Sequence, residues 1–184
     1  FRVKVDLKPV HKFQITFNSN GSTFNDGNDK NQIQFGYDED KQQIFVTSGT
    51  YKDINNGLLK QRNGDYTFVG WNTSSAGTGV NYDGFSALNA LGPNTDIDVL
   101  TLYAHWTTHI TFNANGGMIV GGSSQQEQQL AGSTSGSINY NVGQTIATGL
   151  TAVRDRYDFV GWNTSPDGNG QKLDNSKKVD GPTT

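Results

Sequence analysis

Hydrophobic and polar residues alternate in several short stretches of the chain. Phe13–Phe17 and Leu100–Trp106 place apolar side chains at every second position, which is the period of a strand with one buried face. Tyr66–Trp71 carries bulky side chains on both faces, and this pattern predicts a central strand. Gln42–Thr47 is predicted to form a further short strand, followed by a Ser-Gly turn.

Helices and loops are predicted to be short. Tyr51–Leu59 is expected to form one or two helical turns, and Gln144–Leu150 is its equally short counterpart. Asn25–Lys30 and Gly121–Gly136 are hydrophilic stretches that we expect to be surface loops. The pattern as a whole predicts a β-rich fold of the α+β class.

Two blocks of sequence recur in the same order. Asp65–Ser74 returns as Arg156–Ser165, with the central Phe-Val-Gly-Trp-Asn-Thr-Ser unchanged. Ile15–Gly21 returns as Ile110–Gly116, again with a strand pattern followed by an Asn- and Gly-containing turn. Because both blocks recur with similar spacing, the chain is interpreted as two tandem copies of one small domain.

The two copies differ in completeness. In the first copy, residues 13–106, the stretch between the first strand and the Tyr66 strand is long, which predicts an insertion or an extra hairpin there. The second, residues 107–184, contains no equivalent of Leu100–Trp106, the strand that closes the first copy. We therefore expect the second copy to be truncated and the less stable of the two. Residues 1–12 are expected to be a strand-like segment or linker.

Aromatic and apolar positions inside the recurring strands are predicted to form the core of each copy. Aromatic side chains give small β domains much of their buried area, so these positions carry most of the expected stability. The predicted core residues are Phe17, Phe68, Trp71, Leu102, Tyr103, Trp106, Phe112, Phe159 and Trp162.

Composition narrows the class of protein. Hydrophobic residues make up 33% of the 184 residues, which favours two small cores over one large core. The net charge of -3 provides no field that would attract nucleic acid or an anionic membrane, and the absence of cysteine excludes disulfides and thiolate chemistry. No apolar stretch is long enough to span a membrane. The chain starts without Met or a leader pattern, so we expect an internal stretch of a longer protein.

Candidate metal ligands are few. His105 and His109 lie four residues apart, but at a junction of strands, and a zinc site would need a third ligand. Asp167–Gly170 has part of a calcium-loop pattern, and Asp38–Asp40 is a short acidic run. Neither acidic stretch has the full alternating spacing with a closing Glu, so hairpin turns are the preferred interpretation. We expect no metal, no cofactor and no catalytic residue.

The recurring motifs resemble the Listeria–Bacteroides repeat, the B-repeat type of internalins and other bacterial surface proteins. The resemblance rests on the strand-and-turn block Ile110–Gly117, on both Gly-Trp-Asn-Thr blocks, and on the Leu-Tyr-Ala strand within Thr101–Trp106. It covers most of residues 13–184. It implies a small β-grasp-like fold with a mixed sheet and one short helix, repeated in tandem.

The resemblance also implies a function and a location. The expected role is a non-enzymatic spacer or stalk at the bacterial cell surface or cell wall, in contact with neighbouring repeats and with weak adhesion to host proteins or glycans. One alternative is a carbohydrate-binding module attached to a secreted hydrolase, with sugars stacking on Trp71, Trp106 or Trp162. Another is an enzyme with a site in the insertion Asn25–Tyr51.

Overall fold

A computed structural model describes residues 11–48, 66–82, 85–91, 99–146, 148–174 and 176–179. In these ranges strands far outnumber helices, so the prediction of a β-rich fold is confirmed. The strands are β1 His11–Asn18, β2 Lys30–Asp38, β3 Gln43–Ser48, β4 Tyr66–Asn72, β5 Asn81–Tyr82, β6 Val99–Asn113, β7 Met118–Gly121, β8 Ser135–Asn141 and β9 Leu150–Val153. The helices are α1 Phe85–Leu88, extended by a 3₁₀ turn over Asn89–Leu91, and α2 Gln125–Leu130.

The chain divides into two compact units. The first unit comprises residues 1–62 and 68–105, and the second comprises residues 63–67 and 106–184. The long strand β6 contributes its first part to one unit and its second part to the other. The predicted boundary between residues 106 and 107 lies one residue from this division.

The first unit is a mixed sheet with strand order β3-β2-β1-β6-β4-β5. Strands β1 and β2 are antiparallel, with Ile15 opposite Ile33, whereas β1 and the start of β6 are parallel, with Ile15 opposite Leu100. The β2–β3 hairpin precedes Tyr66, and its strand β2 has its counterpart in β8 of the second unit. Strand β1 and the first part of β6 turn alternate apolar side chains inwards, which buries a core rich in aromatic residues.

The second unit uses the remainder of β6 as its first strand. Ile110 lies opposite Ile138 in the antiparallel pair β6–β8, as Ile15 lies opposite Ile33 in the first unit. A separate two-stranded sheet joins β7 to β9. The buried side chains of its core are Phe112, Ala114, Ile119, Leu130, Ile138, Tyr140, Ile146, Leu150 and Val179.

Two sequence-based predictions of helix and loop are corrected. The described residues of the segment Gln144–Leu150 form a β-bridge at Thr145 and the start of β9 instead of a helix, and the counterpart Tyr51–Leu59 lies outside the described residues. Helix α2 forms within Gly121–Gly136, which the sequence predicts to be a loop. Ser124 and Glu127 cap its first turn reciprocally, so local hydrogen bonds make a helix favourable in a stretch with little apolar content.

Candidate interaction surface

The recurring Gly-Trp-Asn-Thr loop is held together by the side chain of its asparagine. In the first unit Asn72 is fully buried, and its Oδ1 accepts hydrogen bonds from Ser74 N at 2.7 Å and Gly79 N at 3.0 Å. Its Nδ2 donates to Gly79 O at 3.2 Å and to Asn81 Oδ1 at 2.6 Å. The amide therefore closes the loop at both ends, and the glycosylation sequon that begins at this residue is inaccessible.

The second unit repeats part of this arrangement. Asn163 Oδ1 accepts from Ser165 N at 2.9 Å, and Asn163 Nδ2 donates to Gly168 O at 3.1 Å and Gly170 O at 3.2 Å. The threonine that follows each asparagine acts alike: Thr73 Oγ1 accepts from Val80 N at 2.9 Å, and Thr164 Oγ1 accepts from Gln171 N at 2.8 Å. Equivalent residues thus share part of their loop contacts: each asparagine accepts from the N–H two residues on and donates to the carbonyl seven residues on, and each threonine accepts from the N–H seven residues on.

A second asparagine fixes each loop against the turn after the first strand. Asn20 and Asn115 both have a left-handed φ of 49°, a conformation that asparagine tolerates better than most residues. Asn20 Nδ2 donates to Ser75 O at 2.9 Å, and Asn115 Nδ2 donates to Pro166 O at 2.8 Å. Asn20 Nδ2 also donates to Ala104 O of β6 at 3.0 Å.

The tryptophan of each loop packs edge-on against two phenylalanines. The Phe17 and Trp71 ring centroids are 4.9 Å apart at 70°, and those of Phe112 and Trp162 are 5.1 Å apart at 73°. The other partner is Phe68 in the first unit and Phe159 in the second, in each case 5.4 Å from the tryptophan centroid. Such T-shaped pairs stabilise a core beyond the area that they bury.

The predicted core residues differ in burial. Phe17, Trp71, Leu102, Trp106 and Phe112 are buried, and Phe68, Tyr103 and Trp162 are half-buried. Phe159 departs from the prediction, because its side chain is 39% exposed. Its neighbours Tyr157 and Val160 are 64% and 80% exposed, so the surface of the second unit is apolar here.

The second unit also contains an open cavity, which we call the open slot. It has a volume of about 470 Å³ and lies between Ile110–Asn113 and the segments 162–164 and 171–173. Its apolar walls are Ile110, Phe112, Ile146, Trp162 and Leu173. A second cavity of about 460 Å³ adjoins Trp162 and is lined by Arg154, Tyr157 and Phe159 among others.

The first unit has a strand where the second has the open slot. There the opening of β6 lies between β1 and β4, parallel to β1, with Phe17 opposite Leu102. Leu102 and Ala104 have no solvent-exposed surface. Phe112 occupies the place of Phe17 in the second unit, but β8 pairs with one side of its strand and the cavity lies beside it.

One buried carboxylate lies away from the open slot. Glu127 is 3% exposed, and its Oε2 accepts from Ser123 N at 2.8 Å and Ser124 N at 3.0 Å, while its Oε1 accepts from Thr148 Oγ1 at 2.7 Å and Gly149 N at 3.0 Å. Burial raises the pKa of this carboxyl, but the hydrogen bonds from these groups outweigh it and lower the pKa from 4.5 to about 2. The ionised group therefore holds helix α2 to the chain before β9.

The acidic loops use their carboxylates within turns. Asp167 accepts a hydrogen bond from the Ser165 hydroxyl and another from Asn169 N, and these bonds lower the pKa of the Asp167 carboxyl. Asp38 Oδ1 accepts from Asp40 N and Lys41 N, both at 3.1 Å. Within the described residues, no three His, Asp or Glu side chains come together as metal ligands would.

The two histidines considered as metal ligands both lie in β6. His105 lies in β6 against Gly77, where a Cβ on the glycine would come within 2.6 Å of the imidazole Nε2. His109 lies four residues further along the same strand. The loop glycine is therefore required for close packing of the loop on β6 in the first unit.

These features define a class of small β-rich module in which an asparagine-closed aromatic loop packs on the first strand. Residues 109–184 match the Listeria–Bacteroides repeat domain family, so the resemblance is confirmed for this part of the chain. A protein of Evansella cellulosilytica called "Putative Gly-rich membrane protein" is 32% identical over 111 residues, which is 57% of this chain. The match spans only 11% of that relative's length.

No solved structure matches the chain significantly. Within the part of the chain that the structure describes, there is no helix with the length and apolar character needed to cross a bilayer.

Proposed function

We propose that the chain is a non-enzymatic segment of a bacterial surface protein, built from two tandem β-grasp-like modules that act as a spacer. The observation that carries this proposal is the equivalence of the two loops. Asn72 and Asn163 share two closing bonds, from Ser74 N and Ser165 N and to Gly79 O and Gly170 O. Trp71 and Trp162 pack in the same T-shaped geometry. Repetition of a module adds reach and multivalency without requiring a pocket in each copy.

The side chains that would carry chemistry support this proposal. Glu127 is occupied in capping α2, and Asp38 and Asp167 accept backbone hydrogen bonds in turns. These acidic groups stabilise local structure in the described part of the chain. An extracellular location agrees with the family matched by residues 109–184, whose repeats occur in bacterial surface proteins.

The spacer proposal is tested with the recombinant chain and with whole cells of the source bacterium. On cells, an antibody against the chain should label the intact surface, and added protease should remove the label. The folded chain should release no product from a panel of glycoside, peptide and ester substrates. A label that appears only after lysis would contradict the location, and turnover by the purified chain would contradict the non-enzymatic role.

A second candidate function is glycan binding, and exposed aromatics in the second unit favour it. Tyr157 is 64% exposed, and the Arg154 guanidinium lies 4.2 Å from the centroid of its ring. Both residues line the cavity beside Trp162, and aromatic faces are suitable platforms for sugar rings. Weak adhesion of a surface protein to host glycans would use this face.

Glycan-array binding tests the second candidate with a matched pair of variants. Tyr157→Ala should abolish any glycan signal, whereas Tyr66→Ala, the equivalent position in the first unit, should leave it intact. An equal loss in both variants would show that the signal does not come from the cavity. A wild-type chain that binds no glycan would exclude adhesion of this kind and leave the spacer role.

A further inference from the structure

Asn169 and Gly170 form an exposed Asn-Gly pair in the loop of the second unit that Asn163 closes. Glycine has no Cβ to keep its own backbone nitrogen away from the preceding side chain, and asparagine is a thermolabile residue. We propose that this pair is a site of spontaneous modification, at which the Asn169 amide is converted through a cyclic succinimide into isoaspartate and aspartate. The inference goes beyond the proposed function and does not depend on it.

The reaction consumes only water. Gly170 N forms a bond to Asn169 Cγ, the Cγ–Nδ2 bond breaks, and the proton lost by Gly170 N leaves with the amide nitrogen as ammonia. Water then opens the ring. Cleavage of the bond between Gly170 N and Cγ leaves aspartate, whereas cleavage of the original peptide bond leaves isoaspartate, in which the chain runs through the side chain. Both steps are acyl transfers, so no electrons are exchanged.

Little in the second unit holds the two reacting groups apart. Asn169 donates to the carboxylate of Asp167 on the same exposed turn, from N at 3.0 Å and from Nδ2 at 3.1 Å. Water competes well for hydrogen bonds at such a position, so they restrain the side chain little. Among the described residues Gly170 N has no acceptor, whereas its first-unit equivalent, Gly79 N, donates to Asn72 Oδ1 at 3.0 Å. The attacking nitrogen is therefore available in the second unit.

The chain contains its own comparison, because Asn20 and Asn115 also precede glycine. Their amides hold the turn after the first strand of each unit: Asn20 Nδ2 donates to two backbone carbonyls and Asn115 Nδ2 to one. These carbonyls belong to segments distant in sequence, so the amide has to leave them before Cγ can reach the glycine nitrogen. The expected order of conversion is therefore Asn169 first, Asn115 second and Asn20 last.

The product should loosen the loop. Conversion ends the Nδ2 bond and places a second negative charge beside Asp167, and like charges so close together repel each other. Isoaspartate also lengthens the chain before Gly170, whose carbonyl accepts from Asn163 Nδ2 at 3.2 Å. The first unit has Thr78 at the position of Asn169, and threonine cannot form a succinimide. The modification therefore distinguishes the two units.

The experiment uses the full chain, incubated at mildly alkaline pH and sampled over time. Digestion with trypsin and chymotrypsin separates the Asn-Gly pairs, mass spectrometry measures conversion to the acid, and a protein-isoaspartate methyltransferase detects isoaspartate. Asn56–Gly57 and Asn63–Gly64 lie outside the described residues and do not enter the comparison. Asn169 should convert roughly tenfold faster than Asn20, whose two bonds must break first. Equal rates in the folded chain, or conversion of Asn169 to aspartate alone, would overturn the proposal.

Controls separate the effect of the fold from that of the local sequence. In urea the rates at the three described pairs should converge, and a difference that persists there would overturn the role of the hydrogen bonds. Asn169→Thr carries the first unit's residue and should remove conversion from its peptide. Thr78→Asn creates the same pair in the first unit, where Gly79 N is hydrogen-bonded, and should react several-fold more slowly than Asn169. Equal rates at the two positions would contradict the availability of Gly170 N.

Discussion

The two units contain the same type of loop and differ in what covers it. Trp71 and Trp162 make the same edge-on contact with the phenylalanine of the first strand, and Asn72 and Asn163 share two of the bonds that close the loop. Yet Trp71 is buried and Trp162 is only half-buried, since the strand that fills the first unit is replaced by the open slot in the second. The loop therefore forms without the closing strand.

The tryptophans provide the largest expected contrast. Trp71→Ala should lower the free energy of unfolding of the first unit by about 4 kcal/mol, because it empties a fully buried site. Trp162→Ala should cost the second unit about half of this, because solvent already reaches its ring. Native-state amide exchange in β1 and in β8 measures the units separately. Equal losses would indicate that burial does not distinguish the two sites.

Glu127 should make the stability of the second unit depend on pH. Its pKa in the folded state, about 2, lies below the unfolded value near 4.5, so the stabilisation is full above pH 4.5 and is lost as the pH falls towards 2. The difference corresponds to about 3 kcal/mol. Exchange of β8 amides should report the loss, and β1 amides in the first unit serve as the internal reference.

Two variants separate this carboxylate from others in the same unit. Glu127→Gln should destabilise the second unit at pH 7, because the amide cannot accept all the hydrogen bonds of the carboxylate. It should also flatten the pH dependence of the stability, because an amide does not titrate. Asp167→Asn changes an exposed carboxylate and should leave most of the dependence in place. A steep acid transition that persists in Glu127→Gln would assign it to another group.

The loop asparagines should differ by a smaller amount. Asn72→Ala should cost about 3 kcal/mol, since it empties a fully buried site and removes three bonds to the loop backbone. Asn163→Ala should cost about 1–2 kcal/mol, because water can reach the half-buried loop of the second unit. Urea titrations, with amide exchange followed in each unit, measure the two losses of stability. A larger loss for Asn163→Ala than for Asn72→Ala would contradict this order.

The loop glycines give the finest comparison. Gly168 has a φ of 80° and open space around its Cα, so Gly168→Ala should cost about 1 kcal/mol for the backbone conformation alone. Gly77 has a φ of 73° and lies against His105, so Gly77→Ala should cost about 2 kcal/mol. Thermal unfolding of both variants gives the difference, and equal costs would mean that the imidazole moves aside freely.

The sequence predicts the strands and loops well because their patterns are local. The alternation in Phe13–Phe17 and the repeated Gly-Trp-Asn-Thr block depend on neighbouring residues, and both occur in the structure as strand and closed loop. Helix α2 is missed because its Gly-, Ser- and Gln-rich surroundings suggest a loop. The Ser124–Glu127 capping box was the available signal.

The continuity of β6 and the open slot are harder to predict. No Gly, Pro or Asn lies between Trp106 and Ile110, so the sequence contains no turn signal there and is compatible with one continuous strand. The repeat pattern nevertheless suggests a domain boundary at this point. The exposure of Phe159 could not be predicted from its own sequence block. The side chains of the same block are more buried in the first unit. The difference comes from a strand that is distant in sequence.

Amide exchange of the two equivalent strands tests the central claim most directly. In the first unit β1 lies between β2 and β6, so all amides from Ile15 to Phe17 should be protected. In the second unit β8 covers one side of Ile110–Asn113 and the slot borders the strand, so alternate amides there should exchange at least a hundredfold faster. Uniform protection of Ile110–Asn113, equal to that of Ile15–Phe17, would contradict the account of an open second unit.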